Sequence, residues 1–378
     1  GRNGKIMKNK EKSVKEPLFH IVKRTSVPWW KSWLIRAAAI LLAFVVTGLL
    51  SFLVLKKDPF FIYSSMFSGI FGTERRILIF LRDGAILLLI ALAITPAFKM
   101  RFWNTGAEGQ VLMGGFACTV CMFYLGGKVP DGVLIPIMFV AGVAAGMLWA
   151  VIPAIFKAKW NTNETLFTLM MNYVAMQIVL FAIKIWYPTG SGNMSPLPHG
   201  NLPQIGGGDF WLSVIVVTIV TALVYVYMKY SKQGYEISVV GESENTARYV
   251  GINVKKVVVR TLLISGAICG LAGFLIVGGI DHMISKETVG GRGFTAILVS
   301  WLAKFNPIFM IFTAYLVVFL QKGMGQVMTD CGVANAYFAD IITGIMFFFI
   351  IGCEFFILYQ IKFRKAKKRK KEEKETCS

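Results

Sequence analysis

Apolar positions along this chain come in long unbroken blocks separated by short polar stretches. Five uncharged runs reach the roughly 20 residues a helix needs to cross a hydrocarbon core of about 30 Å: Ala37–Leu55, Gly132–Phe156, Thr165–Ile183, Phe210–Met228 and Thr261–Ile280. Together with the weaker runs between them, the pattern predicts spans at about 33–55, 77–98, 106–126, 132–156, 165–187, 210–229, 257–280, 305–322 and 337–360. One further apolar run, Phe294–Ala303, has only ten residues. At about 1.5 Å per residue it cannot cross, so it is a half-helix or is completed by Gly-rich backbone buried in protein.

The expected fold is therefore an all-α polytopic membrane protein of about ten transmembrane helices, one of them short or re-entrant. Residues 56–76, broken by Asp58-Pro59, are expected outside the membrane. So is the loop 188–209, with four prolines and six glycines, an irregular and mobile surface for an external partner. Arg82 and Asp83 stand side by side near the outer end of the second span. Small residues at Gly142, Gly146, Gly266, Gly270 and Gly273 predict close helix packing.

Composition sharpens this. The chain is 56% hydrophobic with mean hydropathy +0.62, more apolar than a soluble domain usually is. The net charge of +20 concentrates in residues 1–36, in the final tail and in loops such as 229–260. That distribution is the positive-inside bias of a multi-span protein, not a nucleic-acid footprint. An even count of ten puts both basic termini on the cytoplasmic face. The domains are then a basic segment 1–32, a membrane domain 33–360 carrying a cytoplasmic loop 230–256, and a basic tail 361–378 suited to an anionic inner leaflet. No cleavable signal is visible, and Met7 is a candidate start with six residues added before it.

The cysteines, Cys118-x-x-Cys121 included, stand mostly in apolar spans with no histidine near, which predicts buried packing and no metal site. There is no G-x-x-x-x-G-K-[ST], no H-E-x-x-H and no G-x-S-x-G. The chain holds no recognisable fuel site, so energy comes from a partner or an ion gradient.

Transport requires polar groups at membrane depth. The strongest set is Asn104, Glu108 and Gln110 at the start of a span. Two readings fit Glu108: contact with a ligand, or a carboxylate at a helix start. Asn172 and Gln177 either bridge helices or touch ligand, while Asn163 and Glu164 are placed to cap. Phe294, with Trp301, is a candidate to stack on a flat ring, against a packing alternative. Glu354 either pairs inside the bundle or couples to protons. In the loop, Ser243 is a candidate N-cap, Glu244 and Arg248 an i,i+4 pair, Gly251 a C′ residue, and Ala247 with Val250 a shared apolar face.

The loop carries G-Y-E-I-x-x-V-G from Gly234, A-R-Y-x-G-I-N from Ala247 and S-G-x-x-x-G-L-A-G from Ser265. With Asn104-Thr-Gly-Ala-Glu-Gly-Gln110 and Gly290-Gly-Arg-Gly-Phe-Thr-Ala-Ile297, it resembles the membrane subunits of ABC importers of the nucleoside and simple-sugar type. The resemblance implies a bacterial plasma membrane location and a second permease, identical or similar. It implies a separate ATPase that binds ATP and magnesium, and an extracellular binding lipoprotein or periplasmic protein. It makes Glu236, Gly241, Ala247, Arg248, Gly251 and Ile252 the ATPase-coupling loop. N-x-G-A-E-G-Q points to nucleosides, with a simple sugar as the alternative. An ion-coupled carrier is the alternative from outside the family.

Overall fold

The computed structural model describes residues 19–23, 28–188, 194–204, 208, 210–332 and 337–363. In chain order these form β1 (Phe19–Lys23), α1 (Trp29–Leu55), α2 (Pro59–Phe71), α3 (Glu74–Lys99), α4 (Ala107–Leu125), α5 (Asp131–Trp160), α6 (Glu164–Trp186), α7 (Phe210–Tyr230), α8 (Lys232–Glu242), α9 (Glu244–Tyr249), α10 (Val254–Ile276), α11 (Arg292–Leu302), α12 (Pro307–Asp330), α13 (Tyr337–Leu358) and β2 (Tyr359–Phe363). The chain divides into two compact units, Gly1–Pro59 with Asp340–Ser378, and Phe60–Ala339. Met7, Cys377 and the side chains of Cys353 and Glu354 lie outside the described residues.

Among the described residues, eight helices are long and apolar enough to cross a membrane: α1, α3, α4, α5, α6, α7, α10 with its extension to Asp281, and α12. The first unit contains α1 and an addition that the hydropathy pattern did not predict: β1 pairs antiparallel with β2, Phe19 opposite Phe363. Apart from this two-stranded ribbon the named elements are helical.

The second unit is built around α3 and α10. Every residue of α3 from Asp83 to Phe98 is buried, as expected of a helix apolar on all sides. The helices α4, α5 and α10 meet through glycines. A Cβ on Gly146 would fall on the Gly266 carbonyl oxygen, and one on Gly270 on the Gly142 carbonyl oxygen. Gly114 lies so close to Gly270 that a Cβ there would sit 2.6 Å from its Cα. Small residues at these positions let dispersion between backbones hold helices that the hydrophobic effect does not drive together in lipid.

Three outer features differ from the sequence expectation. Asp58-Pro59 does end α1, but residues 59–71 then form an apolar helix, α2, that the hydropathy pattern did not single out. Its Ile62, Met66 and Ile70 are buried, and Phe67 packs on Phe319 of α12 with ring centroids 5.3 Å apart. Ile62, Met66 and Ile70 follow one another at four-residue steps, so the 13-residue segment has one face to bury. The described part of the 188–209 loop is irregular yet tied down. Leu197 N–H donates to the His282 carbonyl at 2.8 Å, Leu202 N–H to Gly278 at 2.9 Å, and Gly200 N–H to Asp131 Oδ1 at 3.0 Å. These bonds, with Met194 and Leu202 buried, anchor the described part of the loop to α5 and to the end of α10. Lys322 is not the end of its span: α12 continues to Asp330, and Lys322 Nζ lies 2.7 Å from Asp83 Oδ2 on α3. Arg82 completes the group, 3.3 Å from Asp83 Oδ1.

Candidate functional site

The expected half-helix is α11, whose eleven residues span about 16 Å at 1.5 Å per residue. The chain reaches it through a five-residue π-helical turn, Val277–Asp281, closed by His282 in the left-handed region. Residues 282–291 then return to Gly291, which has φ 74° and precedes the first helical residue. A helix beginning inside a membrane protein exposes N–H groups that water does not reach. Glu108 meets them. Its Oε1 accepts from Gly291 N–H at 2.8 Å and its Oε2 from Gly293 N–H at 2.7 Å. The carboxylate therefore caps a helix start, though the helix is α11 rather than its own. Gly293 permits the approach, because a Cβ there would stand 2.7 Å from Oε2.

Around this contact the other expected residues assemble. Asn104 and Gln110 form a reciprocal amide pair, Gln110 Nε2 donating to Asn104 Oδ1 at 3.2 Å and Asn104 Nδ2 to Gln110 Oε1 at 3.4 Å. Asn104 also reaches Ser265 Oγ of α10 at 3.4 Å and accepts from Gly106 N–H at 3.0 Å. Asn172 of α6 accepts from Gly109 N–H at 2.8 Å and donates to the Thr105 carbonyl at 2.9 Å. All four polar side chains are buried. The N-T-G-A-E-G-Q segment is thus a hub that ties α4 to α6, α10 and α11. Phe294 takes no part in this network; it is exposed on α11. At the entry of α6, Asn163 caps through Leu166 N–H at 3.2 Å, and Glu164 pairs with Lys157 at 2.8 Å. Cys118 is buried with its thiol donated to the Met138 carbonyl.

The loop between α7 and α10 is a two-helix ledge. Ser231 starts α8 by accepting from Gly234 N–H at 2.9 Å. Ser243 starts α9 by accepting from Thr246 N–H at 3.3 Å, and Gly251 ends it with φ 80°. Glu244 and Arg248 stand 3.5 Å apart on the exposed side. Glu236 reaches Arg260 of α10 at 2.7 Å, and Ile252 N–H donates to the Ala247 carbonyl at 2.9 Å. A Cβ on Gly241 would fall on the Lys99 carbonyl, so α8 lies directly on the end of α3. One expectation fails. Ala247 is fully buried but Val250 is 62% exposed, because Val250 is the C-cap and turns out of the six-residue helix. The exposed apolar groups of the ledge are Tyr235, Tyr249 and Val250. The two tyrosines were not singled out from the sequence; their place in a polar loop, away from any span, was the available signal.

Comparison with known proteins follows this geometry. The family model described as branched-chain amino acid transport system / permease component matches residues 76–351. The chain is 28% identical over 353 residues to the glucose ABC transporter permease protein TsgB13 of Haloferax volcanii, covering 89% of this chain and 92% of that protein. It is 29% identical over 317 residues to the guanosine ABC transporter permease protein NupP of Bacillus subtilis, covering 82% and 89%. It is 25% identical over 332 residues to the nucleoside ABC transporter permease protein NupB of Lactococcus lactis, covering 84% and 90%. No solved structure matches the chain. A bundle of membrane-length helices with a half-helix and a surface ledge, matched over most of its length by that model, belongs to the branched-chain amino acid transport system / permease component family.

Proposed function

We propose that this chain is the nucleoside-conducting permease subunit of an ATP-driven importer. The observation that carries the reading is the ledge of α8 and α9, a pair of capped helices resting on α3 with Tyr249 left 91% exposed. A side chain that size, outside the spans and unused by its own fold, suits a partner surface. A separate ATPase bearing on it moves α3 and α10, to which α8 is fixed through Gly241 and Glu236.

Orientation follows from charge. Lys99, Arg101, Lys157, Lys159, Lys229, Lys232, Lys255 and Lys256 cluster at the ledge end of the second unit, which supports a cytoplasmic position for that end. Ten crossings, counting α11 and α13, then return both termini to the cytoplasm of a bacterial cell. A second permease, identical or similar, closes the pathway, and an extracellular binding protein delivers solute. Asn104, Glu108, Gln110 and Asn172 hold the pathway wall, while Phe294 faces the open side.

Nucleosides are supported by the guanosine and nucleoside permeases among the relatives and by N-T-G-A-E-G-Q. The similarity to a glucose permease supports a sugar as the second reading. Uptake of labelled guanosine and glucose into cells carrying the complete transporter decides between them. ATP drive is tested with a Walker-lysine variant of the partner ATPase. Nucleoside uptake that survives this variant and collapses with a protonophore overturns the reading.

A further inference from the structure

Where α8 meets the ends of α3 and α11, the chain forms an open cleft of about 450 Å³, inside the range of roughly 300–1,000 Å³ usual for small-molecule sites. Its walls are aromatic. Trp103 and Trp301 stack with centroids 5.4 Å apart and planes at 27°. Phe98 meets Trp103 edge-on at 5.5 Å, and Phe305 meets Trp301 edge-on at 5.7 Å. Packing does not consume these rings, since Trp103 is 43% and Trp301 47% exposed.

The rim is charged. Lys99, Arg101 and Glu242 line the same cavity and make no ion pair with any described residue. Arg101 and Phe305 have φ of 61° and 58°, the left-handed turn that commonly closes a helix C-terminus, with Phe102 N–H bonded back to the Ala97 carbonyl and Phe305 N–H to the Ser300 carbonyl. Each follows the end of a helix, α3 or α11, and turns its side chain toward the cavity.

We propose that this cavity is an inner stacking site for the nucleobase of the transported solute. The base lies against the Trp103–Trp301 pair, with Arg101 and Glu242 bonding its edge or the ribose. The proposal rests on the nucleoside reading above and adds the place on the chain where the base is held. Flat aromatic faces with a donor and an acceptor at the rim fit a heteroaromatic ring. A saturated sugar lays only C–H groups against these rings, without the ring-on-ring overlap a base makes, and an acyl chain has no use for the charges. Stacking accepts any base, because every base has a π-face. Ser238, Gly241 and Glu242 place α8 in the cavity wall, so occupancy is registered where the ledge meets α3.

The test uses the complete transporter in lipid nanodiscs, irradiated with 8-azidoadenosine, with the labelled peptides mapped by mass spectrometry. Label is expected on peptides containing Trp103 or Trp301, competed by adenosine and uridine but not by glucose. W301L lowers that label at least tenfold, and W301F, which keeps a π-face, restores most of it. The competition pattern on the unaltered protein needs no variant. Nucleoside uptake with no label at either tryptophan overturns the proposal and leaves the functional reading standing. Equal competition by glucose overturns it too. Label that emerges only after the ATPases are stripped away makes the cavity a socket for the partner, and again overturns it. Absence of nucleoside uptake sinks both.

Discussion

Replacing Glu108 by Gln changes one oxygen to an amide and removes one charge. In the structure the two carboxylate oxygens accept from Gly291 and Gly293 at 2.8 and 2.7 Å. Glutamine keeps one acceptor and turns an N–H₂ toward the other donor. A hydrogen bond to a charged group contributes roughly 1.5–3 kcal/mol, and the charge at a helix start adds about 0.5–1 kcal/mol. The expected loss is about 2–4 kcal/mol, or a roughly 30- to 700-fold rise in local opening at 1.4 kcal/mol per tenfold. Hydrogen exchange of the 291–295 amides in nanodiscs reads this directly, because local opening is confined to the segment that loses its cap. Glu108→Asp retains the charge but loses a methylene of reach and should fall between. Uptake should drop in both, with α3 and α10 exchange unaltered. Unchanged protection of 291–295 in Glu108→Gln would show that the carboxylate does not hold α11.

Other outcomes follow from the same geometry. Gly270→Leu drives a side chain onto the Gly142 backbone and should cost at least the 1–3 kcal/mol, roughly, of overpacking, whereas Gly325→Leu, with open space around it, should leave the melting temperature in detergent unchanged. Asp83→Asn removes the anion that neutralises Lys322 and should destabilise by roughly 1–3 kcal/mol, with Asp83→Asn/Lys322→Met recovering part of it; additive melting shifts would argue against the pair. Tyr249→Arg should abolish uptake and substrate-stimulated ATP hydrolysis while the melting temperature stays put, and full activity would count against docking on α9. Gly241→Asp and Ala247→Arg should also stop transport with insertion intact, measured by cell-surface labelling; Gly241 meets the Lys99 backbone and Ala247 is fully buried.

The spans were legible because crossing a bilayer demands length and apolarity together, and both are one-dimensional properties. The helices α5, α6 and α7 start and end within a few residues of the expected limits for that reason. Caps were legible too, since Ser243 and Gly251 act on neighbours in sequence. What escaped was burial by distant partners. α2 is not singled out as a helix because its 13 residues cannot span, and nothing local shows that α12 will cover its Met66. Lys322 reads as a span end, because its anion is Asp83 on another helix. Glu108 read equally as ligand contact or cap, since the donors it meets are 183 and 185 residues away.

The long buried stretch of α3 explains how one ledge reaches several parts of the bundle. At the end of α3 the Gly241 backbone of α8 sits on the Lys99 carbonyl. Two turns inward, Ser300 Oγ of α11 donates to the Ala91 carbonyl at 3.1 Å. Farther along, Tyr315 of α12 donates to the Leu81 carbonyl at 3.1 Å, and Lys322 pairs with Asp83. Three elements therefore register on a single rod, in the order ledge, half-helix and long span. Coupling needs contiguous contacts with two arrangements, and the contacts along α3 are contiguous. Under the proposed coupling, a force on α8 passes along α3 to α11, whose first turn is anchored by the Glu108 carboxylate and its glycines. That capped joint is the natural place for the second arrangement, since breaking two hydrogen bonds there costs less than separating the glycine-packed faces of α4, α5 and α10.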